Sequence, residues 1–198
     1  MNTSLLRRPR ALRPLILATA LAGAAGLALP AQAADWVVDP AASTLGFSGV
    51  QSGDAFKGTF GKWTAEISFD PAAPEKGHAK VTIDVASAKT GDAQKDGAMP
   101  EADWFDAASH PRAVFEARSF RATGGNAYEA AGTLTIRDTS HDVTLPVTIA
   151  IEGDKAHATG KLTLVRTDYG VGQGAWASDQ YVGVNVDVTF DITATRKP

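Results

Sequence analysis

The chain contains no cysteine, which removes disulfides, thiolate metal sites and thiol nucleophiles from consideration. Basic residues are scarce where a nucleic acid would need them. Four of the 19 lysines and arginines, Arg7, Arg8, Arg10 and Arg13, fall in the first 33 residues, which hold no acid. The 165 residues that follow carry 15 basic against 22 acidic side chains, a formal charge of −7. Without a basic stripe, phosphate backbones are excluded as the main partner, so no nucleic acid is expected. Beyond the opening residues no segment is long and apolar enough to cross a bilayer. The G-x-x-x-x-G-K-[ST] phosphate loop, closely spaced zinc-type histidines and a strand–G-x-S-x-G–helix nucleophile element are all missing, and no internal repeat or linker divides the chain. What is present, 44% hydrophobic and 21% charged residues over 198 positions, suits one globular core and is too balanced for wholesale disorder.

The opening segment reads as an address. Arg7 to Arg13 form a positive region, Leu15 to Leu29 form an uncharged run rich in Ala and Leu, and Ala31-Gln32-Ala33 supplies the small residues of a cleavage site. A cleaved signal peptide over residues 1–33 is therefore expected, with a mature domain over 34–198 beginning Ala34-Asp35-Trp36. The apolar run is short for an anchor helix and ends at Pro30. Export to a bacterial periplasm follows, by general secretion, since Pro9 interrupts a twin-arginine reading of Arg7-Arg8.

The mature chain alternates. From Val184 to Thr193 every even position is apolar and every odd one polar, as in a half-buried strand. The same period recurs at Val143, Leu145, Val147, Ile149 and Ile151, and at Val81, Ile83 and Val85. Trp63, Ala65, Ile67 and Phe69 share one face while Phe56 and Phe60 have the other parity, so a bulge is expected near Gly61-Lys62. Gly124-Gly125-Asn126, Asp138-Thr139-Ser140 and Glu152-Gly153-Asp154 read as hairpin turns. The result is about eight antiparallel strands, over 43–50, 55–69, 78–88, 112–121, 127–137, 141–151, 156–166 and 183–195, in a meander, sandwich or closed barrel. Between the third and fourth, Pro100-Glu101-Ala102-Asp103-Trp104-Phe105-Asp106 opens with proline and acids, as a short helix does.

Candidate chemistry is thin. Asp106, Ser109 and His110 have the residue types of a hydrolase triad, but groups this close on one turn do not align in series, and His110 precedes Pro111. His78, His141 and His157 are scattered. Asp92, Asp96 and Asp103 resemble part of a calcium loop, yet Gln94 stands at the third position and Asp at the twelfth in place of Glu, leaving turn capping as the alternative. Arg166 and Asp168, before Gly170 and Gly172, are expected to pair at a barrel rim. The remaining conspicuous residues are apolar, with Ala79, Ala113 and Ala117 on strand faces, and an eight-stranded barrel either fills its interior or leaves room for one ligand.

Taken in order, Trp36-Val37-Val38-Asp39 with Ser43 and Phe47, Gly58-Thr59-Phe60, Thr90-Gly91 with Asp96, Asp103-Trp104-Phe105-Asp106, His110-Pro111 with Phe115, Gly132 to Arg137, and Arg166 to Gly172 resemble the YceI-like family of exported lipid-binding proteins over nearly all of residues 35–196. Two departures are Ala42, where many relatives have His before the serine, and Asp138-Thr139-Ser140, where a Gly is common. The resemblance implies an all-β, extended, lipocalin-like antiparallel barrel with a short helix near the mouth, and a non-catalytic role in carrying or sequestering a polyisoprenoid, isoprenoid quinone or fatty amide, without a cofactor. The expected lining is Phe47, Trp63, Phe69, Trp104, Phe105 and Phe115, with Ala117, Leu134, Ile136, Tyr169, Trp176, Val186 and Phe190. Asp96, Arg166 and Asp168 are the expected polar groups of the mouth. Because the inward parity holds almost no basic residue, a neutral headgroup is expected. A packed stress or assembly module and an envelope enzyme are the competing readings. A transient inner-membrane protein partner and a homodimer are compatible with the sequence.

Overall fold

The computed structural model describes residues 33–198, so the expected leader lies, but for Ala33, outside the described residues. The strands are β1 (Ala34–Val38), β2 (Thr44–Gln51), β3 (Asp54–Phe60), β4 (Trp63–Phe69), β5 (His78–Asp84), β6 (Ala88–Lys89), β7 (Arg112–Gly124), β8 (Ala127–Ile136), β9 (Thr139–Glu152), β10 (Lys155–Val165) and β11 (Asn185–Arg196), with one α-helix among the described residues, α1 (Ala93–Ala98). Every pairing is antiparallel. The order β1-β4-β5-β7-β8-β9-β10-β11 closes because β1 also pairs with β11, which makes an eight-stranded barrel. Closure removes the sheet edges that an open sheet would leave unpaired.

The wall is assembled differently at its two ends. β11 pairs with β1 through Ala194–Arg196 and with β2 through Asp187–Asp191. The two short strands are thus one strand of the wall, interrupted at Pro40–Ala42, where the Asp39 carboxylate accepts from the Ala41 and Ala42 amides. At one end the wall runs β11-β1-β4-β5; at the other it runs β11-β2-β3-β6. The chain passes between these levels at Gly61-Lys62, where the sequence parity switches. The expected bulge is there a full corner. Gly61 N donates to Ser87 O (3.1 Å) and Lys62 N to Ser87 Oγ (3.0 Å), so the corner is pinned to the turn after β5. The single expected strand over 55–69 is therefore two, and that over 78–88 is β5, a turn capped by Asp84, and β6.

The expected helix at Pro100 is displaced. The α-helix lies before it, started by Asp92, whose Oδ1 accepts from Gln94 N (2.9 Å) and Lys95 N (3.2 Å). A side-chain cap at the start and a proline just past the end set those limits. Residues 100–106 form successive turns that finish at Asp106 with φ +47°.

The strands from β7 to β11 are 10 to 14 residues long, which at about 3.3 Å per residue gives an elongated barrel. One end is plugged. Trp36, Phe69, Phe120, Tyr128, Ala130, Val147, Ile149 and Ala194 form its buried cluster together with Ala117. Trp36 Nε1 donates to Phe69 O (3.0 Å), and the Phe69 ring meets Phe120 and Tyr128 edge-on at 5.1 and 5.2 Å between centroids. Such packing is the geometry aromatic quadrupoles favour.

Candidate functional site: an apolar lumen with a polar mouth

Above the plug the interior is hollow. A cavity of about 500 Å³ runs through the barrel, lined by inward residues of nearly every strand, within the range of pockets that hold a small-molecule ligand. On β11 the inward set is Val186, Val188, Phe190, Ile192 and Ala194, the alternation read from the sequence. Phe56 and Phe60 line it from β3 while Trp63, Ala65, Ile67 and Phe69 line it from β4, because the corner at Gly61-Lys62 restores an inward face after the parity switch. Phe47 packs over Gly58, where any Cβ would run into its ring and into the Lys89 carbonyl.

Twelve of the thirteen expected apolar residues stand on this wall: Phe47, Trp63, Phe69, Trp104, Phe105, Phe115, Leu134, Ile136, Tyr169, Trp176, Val186 and Phe190. Ala117 does not. It faces inward, but at the depth of the packed plug, opposite Ala79 and Gly132. Parity gives the face of a strand and not the depth.

The mouth differs from expectation. The amide and charged side chains on the lining are Gln51, Gln94, Lys95 and Arg166, and Tyr169 adds a phenol. Asp96 is absent from it: its Oδ1 accepts from Thr90 N (2.6 Å) and Thr90 Oγ1 (2.8 Å), chiefly the former holding its carboxyl below the usual range, and so closes the loop that leads into α1. Asp168 is exposed, and its side chain makes no ion pair with Arg166. The expected rim pair is corrected accordingly.

Arg166 is 4% exposed and is held by carbonyls. Nε donates to Gly183 O (3.0 Å), Nη1 to Val171 O (2.8 Å), and Nη2 faces Trp176 O (2.7 Å), Ser178 O (3.1 Å) and Val182 O (2.7 Å). Its guanidinium lies 5.4 Å from the Trp104 ring centroid, within cation–π range. Burial alone pulls its pKa down, and a guanidinium remains charged nonetheless. Gly172, at φ +85°, is required beside it, since a Cβ there would strike Nη1. Arg166 therefore folds residues 166–184 around one buried charge. That segment is tied to the β2 end by Gly183 N→Val50 O and Ser52 N→Tyr181 O, both 2.8 Å. It meets the 100–106 turns through Gly172 N and Gln173 N on Asp103 O. Arg137 Nη1 secures those turns by donating to Ala102 O (2.7 Å) and Trp104 O (2.5 Å).

The acid, serine and histidine of residues 106–110 do not form a relay. Ser109 Oγ donates to Asp106 Oδ1 (3.2 Å), while His110 Nε2 lies 3.7 Å from the other oxygen of the same carboxylate. His110 Nδ1 is 3.0 Å from Asp138 Oδ2, at ion-pair distance but without hydrogen-bond alignment. Both partners lean on Asp106, so the imidazole does not face the serine and no Ser–His–Asp series forms. Asp92 is committed as a helix cap and, through Oδ2, to Lys95 Nζ (2.9 Å). Among the described residues no three His, Asp or Glu side chains converge on a metal-sized site.

Sequence reasoning missed Lys95, Gln94, Ala98 and Met99, which reach the lumen from α1, and Val171 and Val182 from the 166–184 segment. Strand parity has no purchase on helices and loops. The Asp92 cap was the available signal for α1.

The fold and its lumen define a class: a closed antiparallel barrel, hollow and apolar, with a structured mouth. The chain belongs to the YceI-like family, whose domain profile matches residues 36–194. It is similar to a UPF0312 protein of Azotobacter vinelandii, 30% identical over 198 residues, covering 90% of this chain and 96% of that one. The crystal structure of Burkholderia cenocepacia BcnA superposes with a TM-score of 0.78 at 36% identity, over 80% of this chain and 100% of that chain. A polyisoprenoid-binding domain from Saccharophagus degradans, implicated in plant cell wall breakdown, shares the fold (TM-score 0.62, 16% identity, 83% of this chain and 99% of that one).

Proposed function

We propose that the protein carries or sequesters a long-chain apolar ligand, of the polyisoprenoid, isoprenoid quinone or fatty amide kind, in the barrel lumen, after export to a periplasm and cleavage of residues 1–33. The observation that carries this reading is the hollow itself. A cavity of about 500 Å³ with an apolar wall would cost lost packing if nothing filled it, and a tail supplies those contacts. At roughly 30 Å³ per packed heavy atom it holds on the order of fifteen to seventeen carbons. Burying fifteen methylenes gives a gross drive of about 12 kcal/mol, from which association and ordering remove several. The remainder reaches the micromolar range, about 8 kcal/mol. A longer isoprenoid would run on through the mouth. The similarity in fold to a polyisoprenoid-binding domain supports the same ligand class. A binding role is supported by the acid, serine and histidine near the barrel, which do not align as a catalytic relay.

The test is native mass spectrometry of the protein purified without detergent, before and after adding an isoprenoid quinone. A bound lipid, or uptake of the quinone at one equivalent, supports the reading. A bare protein that takes up nothing refutes it.

A further inference from the structure

An apolar lumen selects a tail and is indifferent to what the tail ends in; the head is chosen where the polar groups are. The four amide or charged side chains of the lining sit at the mouth, two amides and two cations, with no acid among them, and Tyr169 adds a phenol. Both cations come from outside the barrel strands, which is why strand parity pointed to a neutral head. Arg166 is neutralised by no carboxylate: carbonyl oxygens satisfy its donors and leave its formal charge unmatched. Lys95 is placed to touch a guest. Its side chain is 27% exposed, and its Nζ stands 6.0 Å from the centroid of Phe56, itself a lining residue. An ammonium has three donors, and Asp92 Oδ2 takes one. Gln51 lies on the hairpin that carries Phe56 and bridges to Val182, whose carbonyl binds Arg166, so the four groups are linked around one opening. The rim acids Asp54, Glu101, Asp103, Asp168 and Asp179 are exposed and off the lining, where water screens them.

Resting on the carrier reading above, we propose that the preferred guest is a single apolar tail ending in an anionic oxygen head, a carboxylate or a phosphate, docked on Lys95 with the Gln51 and Gln94 amides in the field of Arg166. Hydrogen bonds between ions are stronger than neutral ones, so an anion gains at this mouth what an alcohol, amide or quinone of equal tail does not, and an amine is repelled.

Four ligands with one tail decide it: farnesoic acid, farnesyl phosphate, farnesol and farnesylamine, titrated calorimetrically into the purified protein. At least one anion is expected to bind about tenfold tighter than farnesol, and the amine more weakly than farnesol; the tighter of the two anions identifies the head. Lys95→Met is expected to bring that anion to within about threefold of farnesol measured on the same variant, with the urea-unfolding midpoint reporting that the variant is folded. Lys161→Met, on the outer wall beside Asp187, should change nothing. Equal binding of all four ligands, or equal loss of anion and alcohol in Lys95→Met, overturns the head assignment and leaves the carrier reading standing. Failure of all four to bind overturns both.

Discussion

Ala113 and Ala117 sit four residues apart on the same face of β7, and substituting each by Phe separates a hollow from a packed region. Ala113 pairs with Ile83 and stands on the lumen wall. The added phenyl brings six carbons, about 180 Å³ at the packing density used above, more than a third of the roughly 500 Å³ available. Displacing six tail carbons forfeits at most about 5 kcal/mol. Because the tail can slide outward, a loss of about 3 kcal/mol, on the order of 100-fold in affinity, is expected. Stability should change little, since overpacking of about 1–3 kcal/mol is offset by burying the new ring in an existing void. Ala117 is off the lumen wall, so Ala117→Phe must instead enter the packing around Trp36, Phe69 and Phe120, and should cost about 3 kcal/mol or prevent folding. Urea unfolding and titration with farnesol on both variants measure the two effects. If Ala113→Phe binds as wild type does, or is destabilised as much as Ala117→Phe, the lumen is not where the structure puts it.

Arg166→Met leaves the carbonyls of Val171, Trp176 and Val182 without their donor, so amides of residues 166–184 should lose hydrogen-exchange protection by about 2–3 kcal/mol while the barrel strands keep theirs; unchanged protection would show that the charge does not organise the mouth. Gly58→Ala forces Phe47 off its seat and should lower stability by about 1–3 kcal/mol in urea unfolding, whereas a neutral result would contradict the close approach. Acid should destabilise. Glu116 beside Lys80, Asp142 beside Thr133 and Arg118, and Asp187 beside Thr163 and Lys161 all have folded pKa values below their unfolded ones, so the unfolded chain binds more protons. Their contribution is fully present above the unfolded carboxylate pKa near about 4 and is lost as pH falls through the lower folded values. A melting temperature that rises between pH 5 and pH 3 would contradict this sign.

The wall was legible because alternation is a local property of strands. Val186 to Ala194 and Leu145 to Ile151 announced their inward faces by period two, and the parity switch between Phe60 and Trp63 marked the corner that lets one chain segment serve both ends of the barrel. What escaped is set by contacts distant in sequence or by groups that leave no pattern. Arg166 next to Asp168 read as an ion pair, but the partners that hold it are backbone carbonyls up to 17 residues away, and carbonyls carry no sequence signature. Ala117 has the right face at the wrong depth. Lys95 reaches the mouth because Asp92 starts a helix about two turns before Pro100 could, and that competition between two helix starts is settled only when Thr90 and Asp96 close the preceding loop.

A crystal soaked with a guest whose tail ends in bromine locates that atom by anomalous scattering, and so tests directly whether the interior is a dry seat for a tail. A bromine peak is expected at the floor of the lumen, where the plug residues Phe120, Ala130 and Val147 line it, with the head of the same molecule at Gln51 and Lys95. A lumen filled by a chain of ordered waters, with bromine only on the outer wall, would contradict it.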